Sequence, residues 1–181
     1  MRRTVIILSL LACALCAGAG EPVRFSARAG LEVARDAAAS WAPDAQLVYL
    51  ENDEMVGPDG QAIRWGYLFY SPLKAKARSY SVRDGKILEA ADLSFDFEPV
   101  PLSEDWIDSH AARVAAEQKA GEKYCREFNG HLATMLLIRG AFHEKKPDAT
   151  TWALVYEAAA QPPLFVIVDA SNGDVVRTLR G

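Results

Sequence analysis

The 181-residue sequence predicts an α+β fold built on antiparallel sheet, and three observations carry that expectation. Two Ala-rich segments, Ser26–Ser40 and Ser103–Phe128, place apolar residues at helical intervals. Apolar and aromatic runs bounded by Asp84-Gly85 and Asn172-Gly173 read as hairpin strands. The same order of parts then occurs twice. Trp65 and Trp152 each open an aromatic strand and lie 87 positions apart, while Gly85 and Gly173 sit in turns 88 apart. Internal duplication explains that register.

Residues 1–19 are set aside first. Arg2 and Arg3, the apolar run Val5–Leu15 and the small residues Ala17-Gly18-Ala19 form the pattern of a secretory signal peptide. The run is shorter than the roughly 20 residues of a bilayer span. No later stretch reaches that length without charges, so no transmembrane span is expected. Leu10-Leu-Ala-Cys13 also resembles a bacterial lipobox, whose cysteine becomes the lipidated first residue. Leu11 fits poorly two places before that cysteine, where small or β-branched residues are usual. Periplasmic or secreted export is therefore preferred, with a lipoprotein tethered to a membrane through Cys13 as the alternative.

In the first half, Leu31, Ala34, Ala38 and Trp41 share a helical spacing, with Ser26 as N-cap and Pro43 as the stop. Gln46–Leu50 reads as a strand, Glu51–Glu54 and Gly57–Gly60 as loop. Arg64–Tyr70 is an aromatic strand, Arg78–Val82 another, and Asp84-Gly85 turns the chain into Lys86–Leu88. Periodicity is lost from Glu89 to Pro101, a linker in which Leu93, Phe95 and Phe97 alternate as an edge strand would.

In the second half, Ser103 followed by Glu104 and Asp105 predicts a helix start. Ile107, Ala111, Val114, Gln118, Gly121, Cys125 and Phe128 form its apolar face, and Asn129-Gly130 its end. His131–Ile138, Thr151–Glu157 and Leu164–Val168 are strands. The Asn172-Gly173 pair predicts a type I′ turn, whose two central residues both take positive φ.

Trp152, Leu154 and Tyr156, followed by Val168, Asp169, Ala170, Gly173 and Val175, resemble the C-terminal half of the PepSY family. Trp65, Tyr67, Phe69, Asp84, Gly85 and Ile87 extend the resemblance to the first half in weaker form. The resemblance implies two PepSY/cystatin-like units, each one α-helix packed on a curved antiparallel β-sheet, at 20–98 (the degenerate copy) and 99–181. A unit of roughly 70 to 80 residues is marginal alone and gains from packing on its twin. Such units occur in propeptides of secreted metallopeptidases and in bacterial envelope proteins. The resemblance implies a noncatalytic envelope protein that binds another protein, peptidase inhibition or modulation being the sharpest form. A small-molecule or lipid-binding module of the envelope is the alternative.

Charge and spacing bound the chemistry. The formal net charge is −4, and removal of residues 1–20 leaves 18 basic against 24 acidic residues. A mildly acidic chain is a poor partner for nucleic acid. His110, His131 and His143 form no HExxH or His-x-x-x-His pair, and there is no CxxC, so no metal or other cofactor is expected. These histidines read as surface or helix-end residues. Cys125, the only cysteine left after export, falls on the expected buried helix face, where a thiol is inert. Asp169, at the start of a turn, is expected to accept backbone hydrogen bonds, with nothing pairing it to a base. Glu51, Asp53 and Glu54 read as a solvated loop, and Glu104, Asp105 and Asp108 as a helix start.

The remaining candidate is a basic segment. In an extended chain Lys74, Lys76 and Arg78 would share one face, as a docking surface for an acidic partner or as charge guarding an edge strand. Trp65, Tyr67 and Phe69 share another face, expected to meet the helix.

Overall fold

The computed structural model describes residues 22–95 and 97–181. The first strands are β1 (Gln46–Asn52), β2 (Arg64–Ser71), β3 (Lys76–Arg83) and β4 (Lys86–Leu93). They are followed by β5 (His131–Arg139), β6 (Thr150–Glu157), β7 (Leu164–Asp169) and β8 (Val175–Arg180). All eight pair antiparallel in one sheet, in the order β4-β3-β2-β1-β5-β6-β7-β8. Each run of four is a meander between sequential neighbours, and the two meanders meet where β1 pairs with β5. Helix α1 (Ala27–Trp41) packs over the first meander and α2 (Ser109–Ala116) over β6 and β7. A π-helical turn, Glu117–Gly121, carries α2 directly into α3 (Glu122–Phe128).

Period-two alternation decides which side is buried. Tyr80, Tyr67, Leu50, Leu137, Trp152 and Val168 stand directly opposite one another across six strands. All are buried, and with Trp65, Phe69 and the inner faces of the helices they form one core. Trp65 and Trp152 meet edge to face at 6.3 Å, and Trp106 meets Trp152 the same way at 5.9 Å. Both indole N–H groups are satisfied within this apolar setting. Trp65 Nε1 donates to Phe25 O at 2.9 Å, and Trp152 Nε1 to Ile107 O at 2.8 Å. Each acceptor immediately precedes a helix N-cap, Ser26 or Asp108.

The helix starts also hold each other. Ala27 N donates to Ser109 Oγ at 3.1 Å, and Arg28 N to Asp108 Oδ1 at 3.1 Å. Asp108 also accepts from Ser109 N, so one carboxylate serves two N-termini. Arg28 places its guanidinium 4.0 Å from the Trp106 ring centroid and donates to Trp106 O.

These contacts correct the expected helix start at Ser103. Leu102 N donates to Leu47 O, Ser103 N to the Thr150 hydroxyl and Ile107 N to Ala170 O, which holds 102–107 against the sheet. Tertiary hydrogen bonds and burial of Leu102 and Trp106 override the local capping pattern. The expected helix face is corrected as well. Ala112, Ala116, Gly121 and Tyr124 face the core, while Val114 is 37% exposed and Cys125 half-buried. The π turn inserts a phase shift that a 3.6-residue period does not anticipate.

Three turns and ends follow local chemistry. Ser26 caps α1, Asn129 closes α3 in the left-handed region (φ 51°), and Asp84-Gly85 (φ 49° and 68°) is the two-residue hairpin. The Asn172-Gly173 expectation is corrected: Gly173 has positive φ (84°) but Asn172 does not. Gly173 N and Asn172 N both donate to Asp169 O, making a longer turn between β7 and β8. The alternating Leu93, Phe95 and Phe97 do not form a separate strand. Leu93 ends β4, and the rings of Phe95 and Phe97 stack at 5.4 Å beyond it.

Gly121 is the point where the π turn meets the sheet. A Cβ there would lie 2.5 Å from Tyr156 Oη and 2.8 Å from its Cε1. Gly121→Ala is therefore expected to lower unfolding free energy by about 1–3 kcal/mol in urea titration, the usual cost of overpacking. A loss below about 0.5 kcal/mol, the scale of an ordinary surface change, would contradict this packing.

Candidate functional site: the uncovered face of the sheet

The alternation that sends Trp65 and Trp152 into the core sends their neighbours to the face that carries no helix. Glu89, Ser81, Gly66, Glu51, Leu136, Ala153, Ile167 and Arg177 stand opposite one another across all eight strands. A parallel row runs Ala91, Ser79, Leu68, Tyr49, Ile138, Thr151 and Asp169.

Over the first meander this face forms a cleft of about 470 Å³. Leu68, Ala91, Leu93 and Phe95 supply its apolar lining; Glu51, Asp53, Arg64 and Glu89 supply its charges. Arg64 organises them, with Nε 3.1 Å from Asp53 Oδ2 and Nη2 2.9 Å from Glu89 Oε2. Ser81 Oγ donates to the Asp53 carboxylate and accepts from Arg64 Nε. Gly66 leaves the space that the carboxylate occupies, since a Cβ there would lie 2.6 Å from Asp53 Oδ1. Tyr49 donates to Glu51 Oε2 at 2.7 Å. Burial, this hydrogen bond and the Glu51 charge push the phenol well above its ordinary range, so it is a neutral donor. Three carboxylates against one guanidinium give the cleft an acidic excess beside apolar surface.

Asp169 accepts from Ser171 N at 3.0 Å and Ser171 Oγ at 2.6 Å, as expected of a turn aspartate. It also has partners that were not anticipated. The β5–β6 connection brings Lys146 Nζ to 2.9 Å and His143 Nε2 to 3.6 Å from Asp169 Oδ2. His143 is buried, which corrects its reading as a surface histidine. Its Nδ1 accepts from Lys146 N, so the neutral ring carries its proton on Nε2, facing Asp169. Burial alone would raise the Asp169 pKa. The Ser171 and Lys146 hydrogen bonds and the Lys146 charge outweigh it and hold the carboxyl at about 2.

The basic segment does not form a single face. Lys74 lies in the β2–β3 turn, where Ala75 has φ 48°, and Lys76 and Arg78 lie on β3. Strand β3 has partners on both sides, which corrects its reading as an edge. Arg78 is paired with Asp92 at 2.8 Å and Lys74 sits 5.4 Å from the Trp41 ring centroid. The turn is held by Asp44, whose carboxylate accepts from Leu73 N at 2.8 Å and from Ser71 Oγ at 2.7 Å. The backbone hydrogen bond from Leu73 is the main cause that lowers the Asp44 pKa. Cys13 lies outside the described residues.

His110 bonds Asp59 O at 2.8 Å, and His131 is exposed at the start of β5. Burial, then the Glu117 charge, pushes the Cys125 thiol up, so it is protonated at neutral pH. Among the described residues no three His, Cys, Asp or Glu side chains gather as a metal-ligand set. No helix among them is long and apolar enough to cross a membrane.

No family model matches the chain, and no curated protein matches it. Two solved structures resemble it. The first is the crystal structure of a protein from Clostridium difficile 630 provisionally described as a lipoprotein. It is 14% identical, with a TM-score of 0.57 over 82% of this chain and 90% of that one. This likeness shows a shared fold. The second, the YpeB C-terminal domain of Bacillus megaterium, is 8% identical with a TM-score of 0.35, over 84% of this chain and 64% of that one. At that score it carries no argument.

A carboxyl whose pKa is depressed on folding contributes stability above its unfolded value, near 4, and loses it as pH falls through the folded one. Thermal melts should therefore fall more steeply between pH 4 and about 2 for the wild type than for Asp169→Asn. Parallel profiles would contradict the turn and Lys146 contacts.

Proposed function

We propose that this chain is a noncatalytic exported protein that binds another protein through the uncovered face of its sheet. Modulation or inhibition of a peptidase is the sharpest form of the proposal, and it rests on the PepSY resemblance. The observation that carries protein binding is the pairing of a filled helix–sheet interface with an open cleft on the helix-free face of the first meander. Trp65, Tyr67, Phe69 and Trp152 occupy the space between helices and sheet where a small ligand would otherwise lie. The cleft on the other side is broad, partly apolar and acidic in balance. A fitting partner surface would set a cation against Glu51 and Asp53 and an apolar group against Leu68 and Phe95.

The proposal includes two PepSY-like units. Matching meanders, a helix over each, and the matching Trp65 and Trp152 hydrogen bonds to the residues before the N-caps support it. A signal peptide over residues 1–19 and a periplasmic or secreted location belong to the same proposal, with lipidation at Cys13 as the alternative. The fold shared with the Clostridium difficile protein fits an extracytoplasmic place.

Affinity capture from envelope extracts tests this. The wild type is expected to recover a protein that Glu51→Lys/Leu68→Ser loses by about tenfold or more, as for a central interface residue. Lys74→Glu/Lys76→Glu should recover it normally. Recovery of a peptidase whose activity changes on adding the pure chain would support the sharper form. Loss with the lysine variant alone would move the docking surface to the β2–β3 turn. Recovery of only a small organic molecule would make the protein a ligand-binding module.

A further inference from the structure

The carboxylates of the cleft are not equivalent. Asp53 is satisfied from within the chain, by Arg64 Nε at 3.1 Å and by the Ser81 hydroxyl. Glu89 takes the same guanidinium through Nη2 at 2.9 Å. Glu51 is half-buried, yet among the described residues no cation pairs with it. The neutral Tyr49 hydroxyl holds its Oε2 at 2.7 Å, and no described residue donates to Oε1.

A bulge puts this residue on the helix-free face. Leu47 pairs with Phe69 but Tyr49 with Leu68, so the extra residue at Val48 reverses the alternation of β1. Leu47 stays on the helix side, and Tyr49, Glu51 and Asp53 turn into the cleft. Strand β5 repeats the device, with Leu132 opposite Tyr156 and Thr134 opposite Val155. The side chains that it turns to the same face are Thr134, Leu136 and Ile138. The fold thus accepts uncharged side chains after such a bulge, and the Glu51 carboxylate is no requirement of the sheet. Leu68 lies diagonal to Glu51, since Glu51 pairs with Gly66 and Tyr49 with Leu68. Diagonal neighbours on a sheet face are about 7–8 Å apart, close to the roughly 7 Å between alternate residues of an extended chain.

Taking the cleft as the protein-docking surface, we propose that Glu51 is its specificity-determining residue and that the segment it takes is extended and basic. A lysine or arginine of the partner stands against Glu51, with an apolar side chain two residues away against Leu68. Charge complementarity selects this occupant. Three carboxylates share one guanidinium, so an added cation offsets the repulsion between Glu51 and Asp53 and donates to the uncommitted Oε1. An acidic segment would bring a fourth carboxylate. A wholly apolar one would strip water from Glu51 and leave its charge without a partner. Leu93 and Phe95 continue the apolar lining toward β4, where the segment leaves the cleft.

Selection from a displayed library of random heptapeptides, against the chain purified as the cell processes it, tests the proposal. The wild type should enrich peptides with a lysine or arginine two residues from an apolar side chain. Glu51→Gln should weaken a selected peptide by about tenfold or more in fluorescence anisotropy, the scale of one charge-assisted hydrogen bond. Glu51→Lys should exchange the basic preference for an acidic one while the apolar preference stays. Circular dichroism verifies that each variant folds. Peptides that Leu68→Ser weakens but that show no basic preference, or that Glu51→Gln leaves unweakened, would overturn the role of Glu51 and leave the docking cleft standing. If no peptide is enriched, or none is weakened by Leu68→Ser, the cleft falls as a docking surface and the role of Glu51 falls with it.

Discussion

The structure depends on the contact between Trp65 and Trp152 and on the two hydrogen bonds that fix their indoles. Strands β1 and β5 share only three registered pairs, Tyr49–Ile138, Leu50–Leu137 and Glu51–Leu136. That short ladder is reinforced by what lies above it: edge-to-face tryptophans, the bond from Ala27 N to Ser109 Oγ, and Asp108 serving both helix starts. Aromatic pairs of this geometry contribute about 0.5–1.5 kcal/mol beyond their buried area. Because both indoles bond the residue before an N-cap, helix position and strand position are set together. The helices are thereby committed to one face, and the other carries none, lying open over the first meander and under the β5–β6 connection at Asp169.

That commitment explains the electrostatics of the bare face. Carboxylates and an arginine could not be tolerated among Trp65, Tyr67 and Trp152 without partners. On the side open to water, Asp53, Arg64, Ser81 and Glu89 form a network of partly exposed pairs. Such pairs add little to stability, so their value is better sought in recognition. Asp169 is the counterpart on the second meander. Buried under the β5–β6 connection and held by Ser171 and Lys146, it fastens a loop over the part of the face that the cleft does not reach.

Much of the architecture was legible in the residues. Alternation in Trp65-Gly-Tyr-Leu-Phe69 and in Trp152–Tyr156 identifies the buried face, and Ser26, Asp84-Gly85 and Asn129 mark boundaries through local backbone chemistry. What was not legible depends on contacts distant in sequence. Ser103 looks like an N-cap, but Thr150, 47 residues away, takes its N–H. Val114 and Cys125 fit a helical period counted from Ile107, which lies before the Asp108 N-cap, and the π turn beside Tyr156 shifts the phase again ahead of Cys125. The cleft was missed for the same reason. Asp53, Arg64 and Glu89 read as loop, strand-start and linker residues until the register of four strands brings them together. The only local signal was Gly66, a glycine inside an aromatic strand, which marks a close approach. Lys74 departs from the face of Lys76 and Arg78 because the β2–β3 turn breaks an alternation that a straight strand would have kept.

The tryptophan seam welds the two meanders into one scaffold, with the helices on the same face of the sheet. Equilibrium urea unfolding followed in parallel by tryptophan fluorescence and far-ultraviolet circular dichroism tests it most directly. Trp65, Trp106 and Trp152 report the seam, whereas the dichroism reports helices and strands throughout. One transition with coincident midpoints is expected, shifted together to lower urea by Ser109→Ala. Two separated transitions, with the fluorescence change complete while half of the dichroism signal remains, would contradict it.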